Sequence, residues 1–307
     1  MFFATTALAL TVSPVRVELT GDPGQTVKGE IILLNEQKEA KTFYSSFENF
    51  EAKGETGTPN FVPGKDGLAT WIQALNQVTL AAQEKKTIPF TVQIPKNADP
   101  GGYFAAIFWS TTPITAQGGQ VAVGAKIGTL VLLKVSGYVK EGGGLLEFKT
   151  LNSQHFFSAL PISFVWRFQN SGNDRINPGG SIEVRNIFGF VSKTLNANEG
   201  QGNVLPASIR RFTVPWTTND IAGQAGSPGF FGMVVREWSN FAFGRYTANL
   251  HLQYGQDNKE VAASYSFFVI PWQLLSLLCL VLVVVLLVFS VGIKKYNRWI
   301  IAQASRK

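Results

Sequence analysis

The stretch from residue 270 to residue 293 constrains this chain most, because it contains no charged side chain. A helix rises about 1.5 Å per residue, so a stretch of this length can cross a hydrocarbon core about 30 Å thick. Trp272 lies at one end, and Tyr296 and Trp299 lie at the other, where aromatic rings favour the headgroup layer. We therefore predict one transmembrane helix over residues 270–293, with these three aromatics as its anchors in the membrane interface.

Basic residues predict the orientation of this helix. Residues 294–307 contain Lys294, Lys295 and Arg298 close to the apolar stretch and no acidic residue. Lysines and arginines near a membrane end are retained on the cytoplasmic side. We predict a single-pass protein of the cell membrane, with residues 294–307 as a cytoplasmic tail and the domains before the helix outside.

The first nine residues are small and apolar and end in Ala7-Leu8-Ala9, which is typical of a signal-peptide cleavage site. No Lys or Arg precedes them, and the stretch is short for a complete signal. We expect residues 1–9 to be a truncated signal peptide. The alternative is that residues 2–10 form the first strand of the fold.

Composition excludes several classes of function. The net charge is +7, but five positive charges lie in the tail, and the nearly neutral remainder lacks the basic face of a nucleic-acid binder. The single cysteine, Cys279, lies inside the apolar stretch, which excludes a disulfide scaffold and a Cys-rich zinc site. His155 and His251 do not supply a zinc ligand set. We predict no nucleic-acid partner, no metal and no cofactor.

Between residues 11 and 269 the dominant hydrophobic period is two. Val15, Val17 and Leu19 alternate with Arg16 and Glu18, and such runs end at turn sequences such as the Gly-Asp-Pro-Gly of residues 21–24. Alternation of this kind is typical of half-buried strands, and short strands between Gly- and Pro-rich turns favour antiparallel sandwiches over a parallel α/β fold.

A weak internal repeat predicts the number of domains. Residues 78–80 followed by 90–92 resemble residues 204–205 followed by 212–214, and a glycine-rich run at 140–144 separates the two parts. We predict an all-β fold with two immunoglobulin-like antiparallel β-sandwich domains, over residues 10–140 and 141–269, followed by the C-terminal transmembrane helix. Tyr103 and Tyr246, each opening a strand after a turn, are interpreted as structural tyrosine corners.

The sequence contains few residues that could serve in catalysis. The chain has no Gly-x-Ser-x-Gly elbow and no glycine-rich phosphate loop. Glycoside hydrolysis uses two carboxylates, and folding could bring together Glu48 with Glu51 or Asp220 with Glu237. An envelope enzyme that acts on glycans is therefore an alternative. The oxygens of residues 170–177 lack calcium-loop spacing, so we interpret that run as a hairpin turn. We predict that the protein is not an enzyme.

Aromatic residues are the remaining binding candidates. Trp166 and Trp216 lie in phase with apolar neighbours and are predicted to be buried, whereas Trp71 and Trp238 are candidates for ligand binding. Trp238 lies in an aromatic-rich insertion over residues 217–243. Two interpretations stay open: ordinary strands whose aromatics face the core, or a partner-binding hairpin.

The first domain resembles a known family. The similarity is carried by Ser13-Pro14, Gly24-Gln25-Thr26, Trp71-Ile72 ahead of Val78-Thr79-Leu80, and the block from Ile94-Pro95 to Tyr103-Phe104-Ala105. These segments resemble the WxL-interacting proteins of Gram-positive bacterial surfaces. The resemblance implies a peptidoglycan-binding sandwich, a second sandwich, one transmembrane helix and a basic tail, and it identifies no binding residue.

Together these observations favour a membrane-anchored surface protein that binds or tethers peptidoglycan or a partner surface protein. An alternative is an accessory subunit of a membrane complex, which makes its contacts through the transmembrane face and the juxtamembrane strands. Small residues along one helix face would serve such contacts, and the stretch contains Ser276, Cys279, Ser290 and Gly292.

Overall fold

The computed structural model describes residues 10–113, 126–217 and 229–304, with side chains described as far as residue 299. Most of these residues lie in β-strands, and a long apolar helix follows the last strand. The N-terminal half contains β1 (Leu10–Ser13), β2 (Arg16–Gly21), β3 (Thr26–Asn35), β4 (Lys41–Ala52), β5 (Pro59–Pro63), α1 (Leu68–Trp71), β6 (Ile72–Gln73), β7 (Gln77–Leu80), β8 (Lys85–Gln93), β9 (Gly101–Ser110) and β10 (Lys126–Val135). The C-terminal half contains β11 (Gly143–Thr150), a 3₁₀ turn (Leu151–Ser153), β12 (Phe156–Phe157), β13 (Ile162–Asn170), β14 (Gly179–Asn186), β15 (Val191–Asn196), β16 (Ser208–Trp216), α2 (Phe230–Ser239), β17 (Gly244–Tyr254), β18 (Lys259–Val269) and α3 (Trp272–Ala304).

Two sheets enclose the core of the N-terminal half. One has the strand order β1-β3-β8-β6, and the other has the order β2-β10-β9-β4-β5, with β7 also paired to β4. Val27, Ile31 and Leu33 alternate along β3 and point inward, because side chains two residues apart share one face of a strand. They belong to the same buried cluster as Phe90 and Trp109.

The C-terminal half has its own pair of sheets and its own buried cluster. The strand orders are β11-β13-β16 and β12-β18-β17-β14-β15. Trp166 and Trp216 are buried in this cluster, which confirms their predicted positions, and the Trp166 ring stacks on Phe212 at a centroid distance of 3.9 Å. The division into domains at residue 140 stays a prediction.

The strands are mostly antiparallel, but two pairings are parallel, which corrects the prediction of purely antiparallel sheets. β2 pairs in parallel with β10, with Val17 opposite Val131, and β12 pairs in parallel with β18, with Phe157 opposite Val269. Each of these pairs joins strands about a hundred residues apart in the chain. No hairpin turn links them, so no local signal indicates their relative direction.

Helix α3 is the one helix among the described residues that is long and apolar enough to cross a membrane. It begins at Trp272, two residues after the predicted start, and continues past Ile293 through the basic residues. The link from β18 is short and hydrogen-bonded: the Ile270 N–H donates to the Phe157 carbonyl at 2.8 Å.

The insertion over residues 217–243 contains helix α2, so both predicted alternatives, strands and a hairpin, are wrong for residues 230–239. Residues 218–228 of this insertion lie outside the described part of the chain. The apolar run over residues 230–235 suits a strand by composition. The structure instead places it in a helix that packs on the first turn of α3, and the Phe230 and Trp272 rings meet edge to face at 6.3 Å.

Candidate functional site

The two halves meet along a polar junction, and the loop between β4 and β5 supplies one part of it. The carboxylate of Glu55 receives two hydrogen bonds from Arg167, one from Nε at 2.7 Å and one from Nη2. The Glu55 carbonyl accepts from the Arg211 N–H at 2.7 Å. The hydrogen bond from Arg167 lowers the pKa of Glu55, because it stabilises the charged form.

Glu18 on β2 supplies the second part of the junction. Its carboxylate binds Arg16 on the same strand at 3.1 Å and Arg175 of the C-terminal half at 2.8 Å. Burial acts to raise the pKa of Glu18, but the hydrogen bond and charge of Arg175, together with the charge of Arg16, lower it below the ordinary value. A third ion pair joins Lys134 to Asp174 at 3.5 Å.

Backbone contacts hold the third part of the junction, at the start of β9. The Gly102 N–H donates to the Asn173 carbonyl at 2.9 Å, and Asn173 Nδ2 donates to the Pro100 carbonyl at 2.8 Å. A Cβ atom on the preceding Gly101 would lie 2.6 Å from the Asn173 carbonyl oxygen, and the φ of Gly101 is +143°, so this close approach of the two halves favours glycine.

Next to Gly102, Tyr103 forms the predicted tyrosine corner. Its hydroxyl donates to the Asp99 carbonyl at 3.0 Å. Tyr246, the second predicted corner, is buried against Phe267 and Trp216. Both tyrosines therefore have structural positions.

A cleft of about 220 Å³ opens between the halves beside these contacts. Phe50, Leu130 and Leu132 of the N-terminal half contribute apolar surface, and Arg16 and Arg210 contribute positive charge. Pockets that enclose a whole small ligand usually measure about 300–1,000 Å³. The cleft therefore suits one side chain or one small group.

Arg210 dominates the chemistry of the cleft. Its Nη1 donates to the Asn203 carbonyl at 2.8 Å, and its guanidinium lies over the Phe212 ring at 5.2 Å. In the part of the chain that the structure describes, no carboxylate forms an ion pair with it. Burial lowers the pKa of Arg210, and the nearby charge of Arg16 lowers it further. A half-buried cation of this kind is suited to an anionic group supplied by another molecule.

Arg210 was not among the predicted binding residues, although the sequence contains one signal for it. Residues 210, 212, 214 and 216 lie on one face of β16, and the last three are buried apolar side chains. A charged residue in phase with a core face indicates a position that is not ordinary surface. Its partners in the cleft come from distant parts of the chain, so spacing alone could not identify them.

The predicted ligand candidates Trp71 and Trp238 lie elsewhere. Trp71 ends α1, is partly buried against the N-terminal core and packs on Tyr103 at a centroid distance of 4.6 Å. Trp238 is 73% exposed on α2. Neither lines the cleft, and ligand binding at either residue stays a prediction.

The predicted interface anchors and the basic residues all lie on α3, and the anchoring role of the aromatic residues stays a prediction. Trp272 occupies its first turn, and the rings of Tyr296 and Trp299 stack at 6.3 Å near its other end. Lys294, Lys295 and Arg298 lie in the same continuous helix. Their role in fixing the orientation stays a prediction.

The carboxylate pairs do not form a glycosidase centre in the described residues. Glu48 and Glu51 are three residues apart on β4, so they point to opposite faces; Glu48 binds Lys126 at 2.6 Å. Asp220 lies outside the described residues. Its predicted partner, Glu237, is buried and accepts a hydrogen bond from the Leu274 N–H at 2.6 Å.

The positions of His155, His251 and Asn170 in the fold give no sign of a catalytic or metal site. His155 stacks on Tyr265 at 4.9 Å, and His251 is exposed on β17. Asn170 is fully buried and hydrogen-bonds three backbone groups. The prediction of a hairpin turn over residues 170–177 is wrong, because this run connects β13 and β14, which lie in different sheets. No group of three or more metal-binding side chains occurs among residues 10–113, 126–217 and 229–299.

Neither a protein-family model nor a curated protein sequence matches the chain. Among solved structures, the class 5 fimbriae chaperone CfaA is similar with a TM-score of 0.39 and 13% identity, over 84% of this chain and 98% of that one. The chaperone CupB2 of Pseudomonas aeruginosa is similar with a TM-score of 0.37 and 8% identity, over 84% of this chain and 100% of that one. A chain of the CsuC–CsuE chaperone–tip adhesion subunit complex of Acinetobacter baumannii has a TM-score of 0.38 and 9% identity, over 83% of this chain and 97% of that one. At these TM-scores the similarity does not indicate the function of this chain.

Proposed function

We propose that this protein is a membrane-anchored surface protein that binds a partner protein between its two β-sandwich domains. Helix α3 would hold it in the cell membrane, with the domains outside and the basic tail inside. The observation that carries the proposal is Arg210, a half-buried cation facing a partly apolar cleft.

The chemistry of the cleft suggests what the partner contributes. The apolar wall favours an extended segment with one apolar side chain, and Arg210 favours a carboxylate beside it. The volume admits one side chain rather than a whole ligand, so further contacts would come from the surrounding surfaces. An acidic segment of a second surface protein meets these requirements.

Binding to peptidoglycan is the second candidate, and it rests on the resemblance of the first domain to WxL-interacting proteins. That resemblance includes Trp71-Ile72, and Trp71 keeps part of its ring accessible beside Tyr103. An indole face can pack on a sugar ring. This candidate predicts retention on cell walls that depends on Trp71 and not on Arg210.

The test uses the full chain in detergent micelles, incubated in parallel with washed cell walls and with solubilised envelope proteins of the source organism. The variants are Arg210→Gln and its matched control Arg211→Gln, which removes the same charge from the exposed face of the same strand. Capture of an envelope protein that Arg210→Gln abolishes, that Arg211→Gln preserves and that weakens with added salt would support the proposal.

Two results would contradict it. Equal capture by both variants would show that the cleft is not the binding site. Retention on cell walls alone, lost in Trp71→Ala and kept in Arg210→Gln, would favour peptidoglycan as the ligand and refute the partner protein.

A further inference from the structure

Helix α2 shows the reverse of the polarity expected for a surface helix. Its one fully buried residue is Glu237, whereas Phe231, Val235 and Trp238 are 65–73% exposed. These three residues have helical spacing, so they form one continuous apolar face. A helix on a water-exposed surface would bury that face and expose the glutamate. The arrangement indicates that the exposed face of α2 lies against an apolar medium.

A hydrogen bond fixes the depth of α2 relative to the transmembrane span. Residues 274–293 form a segment of about twenty residues, which at about 1.5 Å per residue matches a hydrocarbon core of about 30 Å. The Leu274 N–H donates to Glu237 Oε2 at 2.6 Å. Leu274 is therefore at the boundary of the hydrocarbon, and α2 lies at the same level.

The hairpin between β14 and β15 presents a second apolar group. Its tip carries Ile187, Phe188 and Phe190, which are 65–80% exposed. Hairpin tips are usually built from Gly, Asn, Asp and Ser, so three large apolar side chains at one tip are unusual. The tip is well defined, because both the Phe188 and the Phe190 N–H donate to Asn186 Oδ1, at 3.0 and 3.1 Å.

Strand register places this tip at the membrane end of the five-stranded sheet. Asn186 pairs with Tyr246, and Tyr246 pairs with Phe267, two residues before the end of β18. The tip therefore projects from the same end at which the chain passes into α3. β14 is two strands from β18, a lateral distance of about 10 Å at the usual strand spacing.

We infer that α2 and this hairpin tip insert into the interfacial layer of the membrane that α3 crosses, forming a lipid-docking base for the extracellular part. The base consists of Phe231, Val235 and Trp238 on α2, and of Ile187, Phe188 and Phe190 at the tip. The occupant is the bilayer, because the base adjoins the first turn of the membrane helix. Helices with one apolar face bind at this depth, about 5–10 Å into the headgroup and acyl boundary. The inference rests on the proposed membrane anchoring by α3.

The test places single fluorescent labels on the full chain reconstituted in vesicles of mixed phosphatidylcholine and phosphatidylglycerol. Cys279→Ser removes the only cysteine, and Phe188→Cys or Trp238→Cys then carries an environment-sensitive dye. Leu75→Cys, half-exposed in the N-terminal half, is the matched control for an exposed apolar position. Phe289→Cys on α3 reports whether the anchor itself lies in lipid.

We expect nitroxide lipids labelled near the headgroup to quench the dyes at 188 and 238 by roughly twofold or more, because both dyes would lie at the depth of an interfacial element. Aqueous iodide should quench the dye at 75 and spare those at 188 and 238. Quenching at 289 by nitroxides placed along the acyl chain, with no quenching at 188 and 238 by the headgroup nitroxides, would overturn the lipid-docking base and leave the proposed anchoring intact. Iodide protection at 188 and 238 without lipid quenching would also overturn it, because a protein would then cover these residues. No quenching at 289 by nitroxides placed along the acyl chain would refute the anchoring and with it the base.

Discussion

Asn170 stabilises the C-terminal half through three hydrogen bonds of its side chain to the backbone. It ends β13 and is fully buried. Its Nδ2 donates to the Asp174 carbonyl at 2.7 Å and to the Val204 carbonyl at 2.8 Å, while its Oδ1 accepts from the Gly172 N–H at 2.8 Å. The side chain thus connects the turn after β13 to the segment at Val204, which forms an isolated bridge with Ile176.

Replacing Asn170 by Ala leaves the Asp174 carbonyl and the Gly172 N–H without a partner, whereas the Val204 carbonyl keeps its hydrogen bond from the Ile176 N–H at 2.9 Å. A buried polar group that loses its partner costs about 1–3 kcal/mol, and the two carbonyls lie deeper than the Gly172 N–H. With two groups losing their partner, we expect the free energy of unfolding to fall by about 2–4 kcal/mol, a large share of the roughly 5–15 kcal/mol of a typical domain. Asn170→Asp should cost at least as much, because an oxygen would face both carbonyls.

The assay is urea unfolding of the full chain in detergent micelles, followed by tryptophan fluorescence. The control is Asn97→Ala, at an exposed position, which should change the free energy of unfolding by less than about 0.5 kcal/mol. A loss below about 1 kcal/mol for Asn170→Ala would refute the reasoning, since it would mean that the freed groups find other partners.

Three further outcomes are expected. The lowered pKa of Glu55 gives stability that is present above its unfolded pKa of about 4.3 and is lost as the pH falls through the lower folded pKa. The urea midpoints of wild type and Glu55→Gln should therefore converge in acid. A difference between the two midpoints that stays constant with pH would argue against this role of Glu55. Tyr103→Phe removes the bond to the Asp99 carbonyl and should cost about 1 kcal/mol in thermal unfolding, whereas an unchanged melting temperature would mean that the corner is dispensable. Glu237→Ala should speed hydrogen exchange at the Leu274 amide by about tenfold, the equivalent of about 1.4 kcal/mol, and equal exchange rates would exclude the carboxyl group as its cap.

Local patterns were enough to predict the strands and the apolar helix. Alternation along β3 and β16 follows from the two-residue period of a strand, and the unbroken apolar stretch predicts α3. The burial of Trp166 and Trp216 followed from the same phase rule. These features depend on residues that are close together in the chain, so a single sequence is enough to predict them.

Helix α2 was missed because its first six residues are apolar and suit a strand equally well by composition. The spacing of Phe231, Val235 and Trp238 was the available helical signal, and the direction of that face depends on what surrounds it. The cleft was missed for a different reason. Arg16 and Arg210 are almost two hundred residues apart, and only the packing of the two halves brings them to one surface.

The direct passage from β18 into α3 has a mechanical consequence. β18 runs toward α3, and each of its eleven residues is paired with β17. A pull on the outer part of the protein against a fixed α3 would load β18 along its own axis. The hydrogen bonds of the ladder lie across that axis, so they would resist together in shear rather than open one after another. In the proposed membrane-anchored state, the β17–β18 ladder would therefore keep the C-terminal half folded under tension applied through α3.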